Sequence, residues 1–260
     1  MRSWTAPTIY KPLTRNVLFY DGPSQLTGDR ILAIATAQNG NRKIGEMLQL
    51  WIIPAISPIE AVRTGADDAV CGDCKLRGDH GASRACYVEY WRSVENIWQG
   101  REKAVRMTPE AFSALTVGLQ LRIGAFGDPV AVPMSVWLAL LSTAGGWTAY
   151  THQWRRPDAQ AHRAFVMASV DSPAEYDQAR ALGWRTFRVR AAVDDLVQPD
   201  EVICPASDEG GHRATCDRCS LCRGLARPAK SIAIIVHGSK QRWFPVALHP
   251  RAAAAEGARA

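Results

Sequence analysis

Short apolar runs recur along the second half of the chain, separated by polar or helical connections. Most runs are rich in β-branched and aromatic residues and end at glycine, proline or a charged residue, which is typical of buried strands. The predicted strands, beginning at Leu119, are LQLRIGAFGDP, WTAYTHQW, AFVMASVD, WRTFRVRA, EVICPA and SIAIIVHG. Strands that alternate with helical connections indicate βα units and a parallel sheet.

Helices with recognisable ends lie between these runs. The segment AVPMSVWLALLSTAGG has helical apolar spacing and ends at paired glycines. In SPAEYDQARALG, Ser172 is a favourable N-cap, Pro173 takes the first helical position and Gly183 follows the last turn. Earlier in the chain, CYVEYWRSVENIWQG also places apolar residues at helical spacing and ends at Gly100.

The first part of the chain predicts a β-hairpin. ILAIATAQNGNRKIGEMLQLWIIP contains two apolar strands joined at Asn39-Gly40, and the second strand ends at Pro54. We expect residues 1–30 to be an irregular extension, residues 31–250 to form one domain and residues 251–260 to be a flexible tail. The expected α/β fold is a single-domain, partial parallel βα barrel of about six or seven strands, with an N-terminal β-hairpin and a C-terminal metal-binding loop. A doubly wound open sheet is the alternative, since periodicity does not separate the two.

Polar residues follow almost every predicted strand at its carboxyl end. In barrels and in doubly wound sheets alike, functional residues gather at these ends. The strand ends are Gly127 and Asp128, then His152, Gln153 and Trp154, then Asp171, Arg188 and Arg190, and finally Cys204 and His237. From this set we predict that His152, Asp171, Arg188 and Arg190 face a substrate.

The sequence TFRVR predicts the orientation of one strand. Alternation places Arg188 and Arg190 on one face, and Phe187 and Val189 on the other. We expect the arginines to line the interior and the apolar pair to pack against helices. Two arginines in such a place indicate an anionic substrate, such as a nucleotide, a nucleic acid or a carboxylate.

Seven cysteines form two groups. The later group, Cys204, Cys216, Cys219 and Cys222, has the spacing C-x11-C-x2-C-x2-C. Four thiolates satisfy zinc or an iron–sulfur cluster, and three closely spaced cysteines with one remote cysteine favour a 4Fe–4S cluster. Zinc stays the alternative at this site.

The earlier group, Cys71, Cys74 and Cys86, has the spacing C-x2-C-x11-C and lies between a predicted strand and a predicted helix. His80 lies inside this loop, so one alternative is a zinc site of three cysteines and a histidine. The other is a 4Fe–4S cluster with its fourth iron open to a substrate or cofactor. The position at the rim of the predicted barrel favours the cluster.

Composition limits the class of protein. The chain of 260 residues is 47% hydrophobic and 22% charged, as in ordinary globular proteins. We expect no membrane span and no secretory signal, and therefore a reducing cytoplasm, where clustered cysteines bind metal more often than they form disulfides. The net charge of +6 permits an anionic partner but is spread along the chain.

These features resemble the radical SAM superfamily, whose members hold a three-cysteine 4Fe–4S cluster on the loop after the first barrel strand. The family's second strand typically ends in Gly-Gly-Glu-Pro; here the corresponding strand ends in AFGDP, residues 125–129. The family's usual C-x3-C-x2-C spacing is replaced by C-x2-C-x11-C, and the aromatic Tyr87 follows the last cysteine. The chain is also similar to uncharacterised phage and mobile-element proteins that carry a radical-SAM-like barrel, over roughly residues 30–240.

The resemblance implies a TIM-barrel-like fold in which the three-cysteine cluster binds S-adenosylmethionine at its open iron. It implies that reductive cleavage, fed by an electron donor, gives a 5′-deoxyadenosyl radical that abstracts hydrogen from the substrate. It places Gly127 and Asp128 at the cofactor's amino group, with Tyr87 beside the cofactor. A frequent accessory four-cysteine cluster matches the later group.

Two other functions remain open from the sequence. The chain could be a non-catalytic zinc or iron–sulfur protein that binds nucleic acid, which its positive charge and nine tryptophans suit. Alternatively, zinc at the first group could act as a hydrolytic centre with Asp128 as the general base. Three thiolates make zinc a weak Lewis acid, so this hydrolytic function ranks last.

Overall fold

The computed structural model describes residues 13–36, 42–80, 83–192, 195 and 197–248. Its strands, in chain order, are β1 (Val17–Pro23), β2 (Arg30–Thr36), β3 (Leu48–Pro54), β4 (Val105–Arg106), β5 (Gln120–Ile123), β6 (Gly146–Thr148), β7 (Tyr150–Thr151), β8 (Met167–Val170), β9 (Thr186–Arg190), β10 (Glu201–Ile203) and β11 (Ser231–Ile235). Its α-helices are α1 (Pro58–Thr64), α2 (Asp68–Cys71), α3 (Glu95–Gln99), α4 (Pro109–Leu115), α5 (Met134–Leu141), α6 (Pro173–Ala181), α7 (Cys216–Cys219) and α8 (Phe244–Leu248). No helix in these ranges is both long enough and apolar enough to cross a membrane.

The first sheet has the order β4-β1-β2-β3-β5-β6. Strands β2 and β3 pair antiparallel, which confirms the predicted hairpin strands, while the predicted turn at Asn39-Gly40 lies outside the described residues. Strand β1 pairs antiparallel with β2, so the prediction that residues 1–30 are irregular is wrong for Val17–Pro23. Strands β3, β5 and β6 are parallel to one another.

The second sheet is parallel throughout, with the order β10-β11-β9-β8-β7. Strands β6 and β7 are separated only by Ala149, so a single run of chain leaves the first sheet and enters the second. The Ala149 carbonyl accepts a 2.9 Å hydrogen bond from the Met167 amide, which continues the pairing with β8. The mixed α/β class with parallel strands is therefore confirmed.

The predicted local signals account for several elements. The Ser172 hydroxyl accepts a 3.2 Å hydrogen bond from the Glu175 amide and caps α6, as predicted. The helix before Gly100 is also confirmed, although its first turn, Tyr90–Val94, is a π-helical turn. Strand β3 is buried along its whole length because its sheet is covered on both faces, and its residues belong to the main core.

Candidate functional site: a cavity with seven cysteines

A cavity of about 230 Å³ lies at the carboxyl ends of the parallel strands. The segment from Gly124 to Asp128 after β5 lines it, as do His152 after β7 and His237 after β11. Both cysteine groups face this one space. The sulfur-bearing residues in its lining are Cys71, Cys74, Cys86, Cys204, Cys216, Cys219 and Cys222.

The long gap before Cys86 is closed by a fold of the loop onto itself. The amides of Ala85 and Cys86 donate hydrogen bonds of 3.0 and 2.8 Å to the Leu76 carbonyl. Cys86 therefore returns to the start of the loop, although it lies far from Cys71 and Cys74 in sequence. Burial raises the pKa of Cys71 and Cys86; Cys74 is close enough to raise both further, and Cys86 also raises that of Cys71.

Glycine and glutamine fix the start of this loop. The Gln153 side chain donates a 3.0 Å hydrogen bond to the Cys71 carbonyl. Gly72 has φ +55°, and a Cβ there would lie 2.6 Å from the Gln153 amide group. A glycine is required because both the backbone conformation and the close contact exclude a larger residue.

Arg84 is a buried cation beside the three cysteines. Its side chain is 3% exposed, and its Nη1 donates a 2.8 Å hydrogen bond to Asp67. Arg77 binds the same carboxylate at 2.6 Å, so two guanidinium groups share one anion. The Nε and Nη2 atoms of Arg84 are buried without a hydrogen-bond partner. Burial disfavours the cation, but Cys86, Cys71 and Asp67 outweigh it and raise the pKa of Arg84.

His152 connects the three-cysteine loop to the strand ends. Its Nδ1 lies 3.3 Å from the Cys74 sulfur, and its Nε2 lies 3.5 Å from an Asp171 carboxylate oxygen. The second distance is too long for a good hydrogen bond, and both Asp171 oxygens are buried without one. Burial lowers the pKa of His152, but Cys74 and Asp171 outweigh burial and raise it well above its usual value. Of the four predicted substrate-facing residues, His152 and Asp171 are thus brought together.

Arg188 and Arg190 are not at the cavity. Arg188 is 1% exposed and is held by Glu201 through hydrogen bonds of 2.9, 3.2 and 2.7 Å. Arg190 is equally buried and pairs with Glu209. Phe187 and Val189, from the opposite face of β9, line the cavity instead. The predicted orientation of β9 is therefore wrong, because acidic partners on the outer side compensate the buried arginines while the apolar face borders the cavity.

Gly127 and Asp128 line the cavity, but their contacts are with the protein. The buried Asp128 carboxylate accepts from the amides of Val130 and His152 and from the single Thr151 hydroxyl, which lies 2.7 and 2.9 Å from its two oxygens. A carboxylate has about four acceptor sites, and these three donors leave about one for the ammonium group that the resemblance assigns to it. Burial raises the pKa of Asp128. Gly127 has φ +80°, and a Cβ there would lie 2.5 Å from the Ile52 carbonyl oxygen, which explains the glycine structurally.

The four-cysteine group surrounds the opposite part of the cavity. Cys216 and Cys219 begin and end α7, and the Cys204 amide binds the Ala233 carbonyl of β11 at 2.8 Å. The Cys222 carbonyl accepts from the Ala149 amide at 3.2 Å, which places this cysteine at the junction of the two sheets. Burial raises the pKa of Cys216 to about 11 and that of Cys222 further.

Several residues at the site were missed by the sequence analysis. Arg185 holds the four-cysteine loop by donating to the carbonyls of Leu221, Gly224 and Arg227 at 2.8–3.0 Å. Arg122 lines the cavity and donates to the hydroxyl of Tyr87, which also lines the cavity; the role of Tyr87 beside a cofactor stays a prediction. No sequence pattern marked either arginine, because their partners are remote in the chain.

His80 does not join the three cysteines. Its side chain is 60% exposed, its Nδ1 lies 3.2 Å from the Arg63 carbonyl at the end of α1, and it is not part of the cavity lining. The alternative zinc site that used His80 as its fourth ligand is not formed. More generally, the described residues contain no group of three or more histidines, cysteines, aspartates or glutamates arranged to hold a metal ion.

Comparisons with protein-family models, with curated proteins and with solved structures gave no match to this chain.

Proposed function

We propose that this chain is an iron–sulfur enzyme of the radical SAM type, or a divergent relative, with both cysteine groups serving one reaction space. The observation that carries the proposal is the single cavity at the carboxyl ends of parallel strands, onto which all seven cysteines open. The two sheets joined at Ala149 would form the partial barrel of such an enzyme. The proposal includes a reducing, cytoplasmic environment, in which thiolate ligands stay reduced.

The residues of the first group suit an anionic iron–sulfur cluster better than a single zinc ion. The thiols line a shared space, and the ligands of a cluster bind its separate corners. The unpartnered Nε and Nη2 atoms of buried Arg84 supply donors beside Cys71 and Cys86. A buried cation with free donors is costly unless an anion is adjacent, and a thiolate-ligated cluster is such an anion.

Cys71, Cys74 and Cys86 would hold the catalytic cluster, and the four later cysteines a second one. When bound, the first cluster would supply the electron that cleaves S-adenosylmethionine into methionine and a 5′-deoxyadenosyl radical, which takes hydrogen from the substrate. The chain's residues would position these groups: His152 orients Cys74, and Arg84 balances the thiolate charge. The apolar wall that includes Phe187 and Val189 would exclude water.

Because Arg188 and Arg190 are turned away, the attraction of an anionic substrate falls to other cations of the cavity. Arg122 and Lys43 line it and lie close enough to His237 to lower its pKa, although burial contributes more to that shift. The proposed substrate is therefore anionic, either a nucleotide-type molecule or a nucleic acid.

The test is the iron and sulfide content of anaerobically purified protein, followed by assay for 5′-deoxyadenosine after reduction with S-adenosylmethionine. Cys86→Ala and Cys219→Ala should each remove about four irons, leaving the other group loaded. Wild-type protein should form 5′-deoxyadenosine, and Cys86→Ala should form none. A colourless protein with zinc at both sites would refute the proposal and favour the non-catalytic alternative.

A further inference from the structure

An aromatic and basic surface borders the mouth of the cavity. We name it the rim surface and define it by Tyr87, Trp91, His237 and Lys240. The rings of Tyr87 and His237 stack with centroids 5.7 Å apart, and the Lys240 ammonium lies 5.1 Å from the centre of the Trp91 ring. Ser239 donates to Glu89 at 3.3 Å, which joins the turn after β11 to the segment after Cys86. The four residues therefore form one continuous patch from two distant parts of the chain.

The large rings of this surface are open to solvent. Tyr87 is 46% exposed and Trp91 39% exposed, although both residue types usually bury most of their area. Core packing does not explain these two rings, in contrast to Trp137, Trp154 and Trp184, which are fully buried. Exposed aromatic rings beside cations are the arrangement that binds unpaired bases and the phosphates between them.

The charge around the rim surface favours an anionic strand. Lys240 belongs to it, Arg242 is exposed next to it in sequence, and Lys43 and Arg122 continue the positive charge into the cavity. Two acidic residues, Glu89 and Asp208, lie nearby. Glu89 is offset by its ion pair with Arg92. Asp208 lies 2.7 Å from His212, whose ring is charged only when protonated, so one carboxylate faces the four cations named above.

We propose that the rim surface binds single-stranded nucleic acid, with bases stacked on Trp91 and Tyr87 and the backbone held by Lys240. A duplex does not fit this role equally well, because its bases are stacked on each other and their faces are hidden. Tyr87 and His237 also line the cavity, so a strand on the rim surface leads directly to its mouth. The proposed binding of nucleic acid depends on the rim surface alone. Only the entry of the strand into the cavity rests on the proposed function.

The experiment measures fluorescence anisotropy of a labelled oligothymidylate of about 12 nucleotides, a length within the range that one binding module covers. The same measurement uses a duplex of equal length and an RNA of equal length. Trp91→Ala should weaken single-strand binding about tenfold, since stacking on an aromatic ring is worth about that much. Trp91→Phe should recover most of the affinity, because phenylalanine keeps a ring for stacking.

Lysine replacements at the two ends of β11 provide a matched pair. Lys240 follows the carboxyl end at the rim surface, whereas the exposed Lys230 precedes the amino end, at the opposite end of the strand. Lys240→Ala should weaken binding and reduce the slope of log affinity against log salt by about 0.7, as expected for one lost phosphate contact. Lys230→Ala should bind like the wild type.

The inference is overturned if duplex binds as tightly as single strand, or if Trp91→Ala and Lys240→Ala bind like the wild type. Equal binding of heparin that depends on Lys240 but not on Trp91 would show a general anion surface and would also overturn it. Circular dichroism melts and iron content of each variant check that the fold is retained. Single-strand binding by a protein without iron would refute only the proposed function, whereas an iron-loaded protein that ignores oligonucleotides would refute only this inference.

Discussion

Replacing Glu201 tests whether the arginines of β9 are structural. Glu201→Gln removes the charge that faces Arg188, and both side chains are essentially inaccessible, at 0% and 1% exposure. Losing one partner of a buried ion pair costs about 3–5 kcal/mol, because the remaining charge is left uncompensated. Glutamine keeps one oxygen acceptor, so we expect the lower end, about 3 kcal/mol. For a chain of this size, that corresponds to a fall in Tm of about 6–12 °C.

The assay is thermal unfolding followed by circular dichroism, with Glu60→Gln as the control. Glu60 also pairs with an arginine, Arg63, but these side chains are 47% and 70% exposed, so the control should shift Tm far less. Replacing both partners, as Arg188→Met with Glu201→Leu, should recover most of the lost stability because no unpaired charge remains.

If Glu201→Gln leaves Tm unchanged, or if the double replacement is as unstable as the single one, the pair is not the buried structural pair described above. If Arg188→Met abolishes activity while Tm is preserved, the original assignment of Arg188 to the substrate would be restored.

Three further replacements or conditions test local features. Ser172→Ala removes the cap of α6 and should cost about 1 kcal/mol, measured by urea unfolding. Gly72→Ala should lower the iron content as well as Tm, because the new Cβ collides with Gln153. Its control is Gly183→Ala: Gly183 has φ +80° but no atom within 4 Å of the new Cβ, so this variant shows the effect of backbone strain alone. Burial lowers the pKa of His162, so the unfolded state binds more protons and stability should fall as pH drops below about 6.5. His162→Gln should weaken this dependence, and the lowered pKa of His237 leaves part of it.

The elements that were correctly predicted from the sequence are those in which several local signals indicate the same structure. Helix α6 has its cap, its first-turn proline and its terminal glycine in one short segment, and β11 is an uninterrupted apolar run. Strand β1 was missed because its sequence, VLFYDGP, ends in residues typical of turns and is stabilised by pairing with β2. Pairing with a remote strand leaves no periodic signal within the segment itself.

The orientation of β9 shows a different limit. Alternation correctly separated Arg188 from Phe187, but a period of two does not say which face is interior. That choice depends on Glu201 and Glu209, which approach from later segments and compensate the arginines. The arginines were assigned to the cavity because functional residues gather at strand ends, and the sequence did not reveal that these two are paired with acidic residues.

The candidate site was predictable as two cysteine groups but not as one cavity. The spacing of cysteines along the chain identifies residues that are able to bind one metal together. The shared cavity depends instead on how β10 and β11 bring the later cysteines toward the three-cysteine loop. Arg84 has no sequence signal beyond its position near Cys86, and its burial with two unpartnered nitrogens appears only in three dimensions.

The three-cysteine loop is an integral part of the sheet edge rather than an attached module. Lys75 binds Glu175 at 2.6 Å, and the second oxygen of Glu175 accepts from the Asp171 amide at 2.9 Å. The loop is thereby tied to the end of β8, and the Asp128 amide ties it to the end of β5 through the Val70 carbonyl at 2.6 Å. Because these contacts place the loop from two strands at once, a shift of either strand end moves the cysteines relative to His152. The cysteine positions are thus set by the same strand ends that shape the cavity, which is the arrangement expected if substrate and cluster must be held in fixed relation.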